Sequence, residues 1–326
     1  MFPDREYELL SDYSLTLNPN KQTSRQALEY ADVNNLGDLT DKLIIRLKES
    51  GNSTSKEWAS VYELHRKMTT GEVNVIEARD MMCEFTIKTT EMKVFSKVMF
   101  LYQYLGKRDF NSLNETIKYI DTSKINNIKS SFLKNSFKCR ILMLQANAGL
   151  VENDLQTVRK CVNECLEMTN TVRFLAFGHL NIGNSYIFEN YDKAKNYFLK
   201  GLEACENNPI YKTQLICSLS FLENYWSKDN KYMDESDLHS VAFAKIRKGE
   251  NKEALEILDS MDQSELNQYQ LAYDNFYRGL ITNEKSYYYE SIKYFKLTGD
   301  KFIRKMVLIE LQKLGESDQQ LELYSM

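Results

Sequence analysis

The stretch TVRFLAFGHLNIGNSYIFENYDKAKNYFLKGLEAC, residues 171–205, constrains the fold more than any other part of the chain. Its apolar residues recur at helical spacings of three, four and seven, as Ala176, Leu180 and Ile187 illustrate. The pattern predicts a helix over 171–189, a break at Asn190 and a second helix over 191–205. Such a helix hairpin resembles a tetratricopeptide-type unit, which buries its apolar face only by stacking on similar neighbours.

The same helical period continues through the rest of the chain. Further helices are predicted over residues 4–17, 23–34, 38–48, 55–68, 74–85, 90–105, 110–120, 131–151, 154–168, 210–226, 237–248, 252–261, 265–283, 285–297, 301–314 and 319–324. The segment 121–128, rich in Ser and Asn, is predicted to be a linker, and 227–236 a charged loop.

The second helices of successive hairpins start at a regular spacing. The reference positions are Leu113, Leu155, Ala194, Ala254 and Ser291. Three of the four steps are about 40 residues, slightly above the tetratricopeptide period of about 34. The longer step contains an extra helix that ends at Trp226. The predicted fold is therefore all-α, a right-handed superhelix of tetratricopeptide-like helix hairpins without strands, forming one domain over residues 1–326.

Composition supports this fold and limits the function. Only 3 Pro and 12 Gly occur in 326 residues, and both residue types interrupt helices. The net charge of −4 gives no general basic surface for a nucleic acid. The six Cys lie in helical patterns and are expected to be buried free thiols in a reducing cytoplasm. The sequence shows no signal peptide and no run of about 18 apolar residues that would span a membrane.

No motif in the sequence carries recognisable catalytic, metal or cofactor chemistry. His65, His179 and His239 lack a second ligand at metal-binding spacing, and a lone His on a helix is usually a packed or surface residue. Cys161 and Cys165 lie one helical turn apart, but a closed zinc site needs about four ligands. Phosphate-binding glycine loops and nucleophile elbows are also missing. We therefore predict no catalytic residue, no metal and no cofactor, and an enzyme is the weak hypothesis.

A few polar residues could instead receive a peptide. Arg173, Asn181 and Asn184 are predicted to share one face of a helix, since eleven residues make about three turns. Asp300, in the turn TGDKF, is either a helix N-cap or a ligand for a cation. The aromatic cluster in the same region either fills the layers of a solenoid or partly lines a concave groove; its members are Tyr287, Tyr288, Tyr289, Tyr294 and Phe295.

Several stretches resemble the arbitrium peptide receptors, AimR, of SPbeta-type Bacillus phages. They are FPDREYELLSDYSL at 2–15, ALEYAD at 27–32, IKTTEM at 87–92, IGNSYIFENYDKAKNYFLKGL at 182–202, SIKYFKLTGDKF at 291–302 and IELQKLGE at 309–316. The similarity covers essentially the whole chain, with short length differences near Asn126 and Lys231.

The resemblance implies a dimeric, cytoplasmic regulator of the phage lysis–lysogeny decision in the bacterial host. In that family a short phage-encoded peptide binds the tetratricopeptide-like domain and stops the receptor from activating transcription. Family members begin with a DNA-binding helix-turn-helix segment ahead of the stretch that matches residues 3–15, and this sequence starts at that stretch. The resemblance therefore implies a peptide-sensing and dimerisation domain, which would reach operator DNA only through the missing segment.

The resemblance also implies four peptide-binding residues. Asn147 matches an Asn that contacts the peptide backbone, and Asn184 matches an Asn near the peptide carboxylate. Arg173 matches an Arg that pairs with the terminal carboxylate, and Asp300 matches an Asp that receives the peptide's arginine. A guanidinium suits a carboxylate in both pairs.

Two positions depart from the family pattern. A family Gln-Glu pair aligns with His239 and Ser240, and a family Asn aligns with Tyr269. The second acid for the peptide arginine is therefore open, with Glu235 and Asp237 as candidates.

Other interpretations and a prediction about assembly stand beside the peptide-binding hypothesis. Arg173 could pair with Glu167 instead of a ligand, and Asp300 could act only as a cap. The chain could also be a tetratricopeptide scaffold that binds a partner protein under peptide control. A homodimer held by the C-terminal helices is expected from their apolar residues, which are Val307, Leu308, Leu311, Leu314, Leu321, Leu323 and Tyr324. The alternative is that these residues merely cover the preceding hairpin.

Overall fold

A computed structural model describes residues 6–205 and 209–325 of the chain. The described residues form helices, turns and loops, with no strand. Their α-helices are α1 Glu6–Thr16, α2 Gln22–Val33, α3 Gly37–Lys48, α4 Ser53–Thr70, α5 Val75–Cys83, α6 Thr90–Gly106, α7 Phe110–Ile117, α8 Ser131–Val151, α9 Leu155–Leu166, α10 Val172–Asn184, α11 Tyr191–Ala204, α12 Pro209–Tyr225, α13 Leu238–Arg247, α14 Asn251–Ser260, α15 Gln268–Thr282, α16 Lys285–Thr298, α17 Lys301–Lys313 and α18 Asp318–Ser325. The predicted all-α class is confirmed.

Side-chain caps and left-handed residues set the ends of many helices. The Asn74 side chain accepts from the backbone of Ile76 and Glu77 in a complete capping box at the start of α5. Asp154 caps α9 and Asp300 caps α17, and the side chain of each accepts one backbone N–H. Gly299 ends α16 with a φ of +83°, which a residue with a Cβ rarely adopts.

Helices pair as hairpins that stack along the chain. Contacts join α6 with α7, α8 with α9, α10 with α11, α13 with α14 and α15 with α16, which are the predicted repeat units. The long step between repeats does contain the extra helix α12. Gly183 lets α10 and α11 approach closely, since an added Cβ would overlap the Phe198 ring.

Two segments differ most from the sequence prediction. The helix expected over 171–189 ends at Asn184, and a turn carries the chain to Asn190. The segment expected to be a linker forms a 3-10 helix, Thr122–Asn127, next to α6 and α8. Its Ile125 and the following Ile128 are 3% exposed and join the core. The high Ser and Asn content predicted a linker, but the two isoleucines pack in the core and hold this segment in place.

The array curls until late helices meet early ones. α17 contacts α8, and Lys301 Nζ lies 2.5 Å from Glu152 Oε2 at the end of α8. Asn111 Nδ2 on α7 donates to the Leu297 carbonyl over 3.3 Å. These contacts bring the final hairpins opposite the central ones across a shared concave space.

The C-terminal apolar residues mostly pack within the chain. Val307 and Leu311 are fully buried, and most of the remaining residues are partly covered by the same core. Leu323 is the exception, with 56% of its surface exposed. The apolar surface predicted for this region is therefore much smaller than the sequence indicated, because α18 folds back on α17.

Other expectations can also be compared with the structure. Cys83 and Cys217 are exposed, contrary to the prediction of six buried thiols, and all six Cys are free. The predicted helix over 4–17 begins before the first described residue and is observed over Glu6–Thr16. Within the described part of the chain, no helix has both the length and the apolar content to cross a bilayer.

Candidate peptide-binding cavity

The concave space is a cavity of about 990 Å³, which is at the upper end of the ~300–1,000 Å³ typical of ligand pockets. Its wall comes mainly from one helix of each hairpin. Tyr102 on α6, Asn147 on α8, Arg173 on α10 and Tyr269 on α15 all line it, together with Asp300 at the start of α17. All four predicted binding residues, Asn147, Arg173, Asn184 and Asp300, lie in this one wall.

Arg173 contacts the aromatic ring of Tyr102 and is not paired with a carboxylate of the described residues. Its guanidinium carbon lies 4.9 Å from the centroid of the Tyr102 ring. Among the described residues no carboxylate oxygen comes within 4.0 Å of its nitrogens, so the alternative pairing with Glu167 is wrong. Arg173 is half-buried and lines the cavity, and it forms no ion pair with the residues that the structure describes.

The two cavity asparagines occupy different positions along α8 and α10. Asn147 donates its Nδ2 to the Met143 carbonyl, 2.7 Å away in its own helix. Asn184 is the last residue of α10 and is half-buried. Asn181, expected on the same face as Arg173, is 2% exposed and lies outside the wall. Eleven residues return to the same helical face more closely than eight do.

Asp300 is both a helix cap and a cavity residue. Its Oδ1 accepts the Ile303 N–H over 2.9 Å, and its Oδ2 accepts the Tyr269 hydroxyl over 3.4 Å. The side chain is almost fully buried, and burial raises the pKa of this carboxyl to about 6. The two interpretations left open by the sequence are therefore compatible.

Arg108 is a cavity residue that sequence reasoning missed. It follows α6 in a left-handed conformation with a φ of 55°, and its guanidinium lies 4.1 Å from the Tyr269 ring centroid. Its charge acts on Asp300 and lowers the pKa of that carboxyl, opposing the larger effect of burial. An isolated Arg after a helix gives no sequence signal for such a role.

The departures from the family pattern also lie in the wall. His239, Ser240 and Asp237 line the cavity, whereas Glu235 is not part of it. The hydroxyl of Ser240 shares a hydrogen bond with the hydroxyl of Ser220, with 2.9 Å between the two oxygens. Asp237 caps α13 and is the one of the two candidate acids that lines the cavity.

The aromatic wall comes from other residues than the predicted cluster. Tyr269, Tyr273 and Tyr277, spaced four apart on α15, line the cavity. Tyr288 and Phe295 are instead buried between α15 and α16, and Gly279 approaches the Tyr288 ring. The interpretation of the Tyr287–Phe295 region as part of a groove is therefore wrong, and its aromatic residues belong to the core and its margin.

A polar cluster extends from the cavity into the N-terminal helices. Arg140 on α8 is fully buried and donates to both oxygens of Glu29, at 2.8 and 3.0 Å, and to Asp32 at 2.6 Å. His65 Nε2 lies 3.6 Å from Asp32 Oδ1, and burial lowers the pKa of this imidazole to about 4. Asp32, His65, Tyr102 and Arg173 all face the same cavity.

Comparisons with known proteins agree with this architecture. The family model described as AimR transcriptional regulator-like matches residues 6–313. The chain is 40% identical over 330 residues to the AimR transcriptional regulator of Bacillus phage phi3T, covering all of this chain and 86% of that protein. It is 39% identical to the AimR transcriptional regulator of Bacillus phage SPbeta, covering 99% and 84% of the two chains.

A solved structure extends the similarity to the fold. The structure of phAimR with a ligand has a TM-score of 0.86 and 39% sequence identity, with 96% of this chain and 94% of that chain covered. Sequence and fold agree over nearly the whole length, and the chain belongs to the family of AimR transcriptional regulators.

Proposed function

We propose that this chain senses a short signal peptide, which binds in the cavity between Arg173 and Asp300. The observation that carries the proposal is that an unpaired guanidinium and a buried carboxylate line the same cavity. The peptide has a free C-terminal carboxylate for Arg173 and an arginine side chain for Asp300. Asn147 and Asn184 hydrogen-bond to its backbone.

The second acid for the peptide arginine is Asp237. It lies in the cavity wall, whereas Glu235 does not, so it is the better placed of the two candidates. A guanidinium with five donors can engage two carboxylates at once. Asp237 already accepts the Ser240 N–H over 3.4 Å as a helix cap, and its other oxygen remains for the ligand.

The peptide switches off transcription activation by the complete receptor. The chain belongs to a family of transcriptional regulators and is not an enzyme. The receptor works as a homodimer in the cytoplasm of the bacterial host and controls the phage lysis–lysogeny decision.

Calorimetry with matched peptides tests the proposal. The probes are short synthetic peptides with one arginine, each made with a free and with an amidated C-terminus. The free-carboxylate form should bind the unchanged protein at least about tenfold more tightly, since a hydrogen bond to a charged group contributes about 1.5–3 kcal/mol. Arg173→Ala should lower affinity for the free form and remove the difference between the two forms.

The control variants separate binding from folding. Asp300→Asn keeps a good helix cap but removes the charge, and Asp154→Asn makes the same change at the exposed cap of α9. Only Asp300→Asn should lower the affinity for the peptide. If no peptide of the set binds, or if Arg173→Ala leaves affinity intact, the proposal is wrong. Capture of a partner protein by a chain that ignores all the peptides would favour the scaffold alternative.

A further inference from the structure

The charges around Arg173 belong to a cluster that is neutral before any ligand arrives. Glu29 and Asp32 each contribute one negative charge, and Arg140 and Arg173 each contribute one positive charge. His65 adds none at neutral pH, because burial lowers the pKa of its imidazole to about 4. A ligand carboxylate on Arg173 would therefore give the cluster one excess negative charge.

Asp32 is the acid in the cluster that would repel this added negative charge. Asp32 and Arg173 line the same cavity. Burial raises the pKa of the Asp32 carboxyl, and His65, Arg140 and Arg173 together outweigh burial and lower it. Asp32 is not within ion-pair distance of Arg173 among the described residues, and its Oδ2 instead accepts a hydrogen bond from Arg140 at 2.6 Å. Arg140 also lies 5.9 Å from the Tyr102 ring centroid, the same ring that supports Arg173. Arg140 therefore fixes the position of Asp32, and the Arg173 guanidinium remains available to a ligand carboxylate.

The position of Asp32 connects the cavity to the N-terminal helices. Asp32 is the next-to-last residue of α2, and Glu29 lies one turn before it. Through Arg140, His65 and the hydroxyl of Tyr62 these two acids join α2 to α8 and α4. Charges interact strongly in this buried setting, so a carboxylate at Arg173 must alter the forces on α2.

We propose that Asp32 is a positioning residue that senses the ligand carboxylate: it opposes the carboxylate on Arg173 and transmits its arrival to α2 through Arg140. The inference rests on the proposed binding of a peptide carboxylate by Arg173. Linkage is reciprocal, so a carboxylate that disturbs Asp32 must itself be bound less tightly because of Asp32. An amidated C-terminus brings no negative charge to Arg173 and avoids this opposition.

The test compares free and amidated peptides on Asp32→Asn, which keeps the side-chain shape and removes the charge. The free-carboxylate peptide should bind the variant roughly fivefold more tightly or better, while the amidated peptide should bind as before. Asp41→Asn is the control: Asp41 pairs with another cavity arginine, Arg66, at 3.0 Å, but is about half exposed and screened by water. It should leave the ratio of the two affinities unchanged.

The outcomes distinguish this inference from the proposed function. If the free peptide binds with dependence on Arg173 but Asp32→Asn leaves the ratio unchanged, the role of Asp32 is wrong and the binding site stands. If no peptide binds the unchanged protein, both fail.

A second measurement covers the case in which Asp32→Asn does not fold. Hydrogen exchange on the unchanged protein, at equal saturation with each peptide, should show altered protection of α2 amides only with the free-carboxylate form. Equal exchange of α2 in both complexes overturns the inference.

Discussion

The Tyr269 hydroxyl donates to Oδ2 of Asp300 over 3.4 Å and covers the acidic part of the cavity. The Tyr269 ring is in turn covered by the Arg108 guanidinium. A ligand arginine must therefore compete with a phenol for this carboxylate and enter beside another cation. This arrangement makes peptide binding sensitive to the ionisation of Asp300 and to the charge of Arg108.

Peptide affinity should rise with pH between about 5 and 7. Burial raises the Asp300 pKa to about 6, so part of the population carries a proton in this range. A bound arginine favours the charged carboxylate, lowers its pKa and releases the proton, and such binding strengthens as pH increases. Calorimetry in buffers with different ionisation enthalpies measures the release. Asp300→Asn should abolish it, and an equal pH dependence in that variant would contradict the assignment.

Arg108→Gln should strengthen binding of arginine-containing peptides by roughly two- to fivefold. The exposed guanidinium repels a second cation near Asp300, and a partly screened charge contributes about 0.2–1 kcal/mol. Lys107→Gln is the matched control, since this neighbouring lysine is exposed and outside the cavity wall. Isothermal titration of both variants with the same peptide measures the difference. Weaker binding by Arg108→Gln would mean that Arg108 contacts the peptide itself.

Arg140→Met should lower the free energy of unfolding by about 3–5 kcal/mol, because it leaves Glu29 and Asp32 buried without their counter-charge. Lys138→Met on the same helix breaks a half-exposed pair with Glu164 and should cost about 1 kcal/mol or less for the lost charge. Urea denaturation followed by circular dichroism compares the two variants. Similar losses in both would show that the buried cluster contributes no more than a surface pair.

Gly183→Ala should destabilise the protein by about 1–3 kcal/mol, since the new Cβ meets the Phe198 ring between α10 and α11. The same change at Gly106, the last residue of α6, meets no atom within 4 Å and should be neutral or slightly stabilising. Thermal unfolding of the two variants provides the comparison. An unchanged unfolding midpoint for Gly183→Ala would mean that α10 and α11 can move apart without loss of stability.

Leu323→Asp should convert the expected homodimer into monomers that remain folded. Leu323 is the C-terminal apolar residue that remains 56% exposed, whereas Leu321 and Tyr324 pack on the core beneath α18. Ile76→Asp places the same charge at a 75% exposed site on α5 and should leave the mass unchanged. Light scattering measures both. A dimer that survives Leu323→Asp would place the interface elsewhere.

The sequence by itself determined the helices and most of their pairing. Helical spacing of apolar residues and the scarcity of Pro and Gly suffice for this, because both act through local backbone geometry and nearest-neighbour packing. Ser131–Val151 was predicted to the residue, and the helix after Asp300 from its cap. The residues alone marked Arg173, Asn184 and Asp300 as candidates, the resemblance added Asn147 and the four roles, and all four residues line one cavity.

The tertiary structure alone decided which distant residues meet. The cluster of Glu29, Asp32 and Arg140 and the stack of Arg108 on Tyr269 join helices far apart in the sequence. No local pattern marks such partners, since a charged residue on a helix usually faces solvent. Their meeting depends on how far the array curls, which is the sum of small rotations between successive hairpins. The same curvature places Arg173, Asp300 and Asp32 in the wall of one cavity.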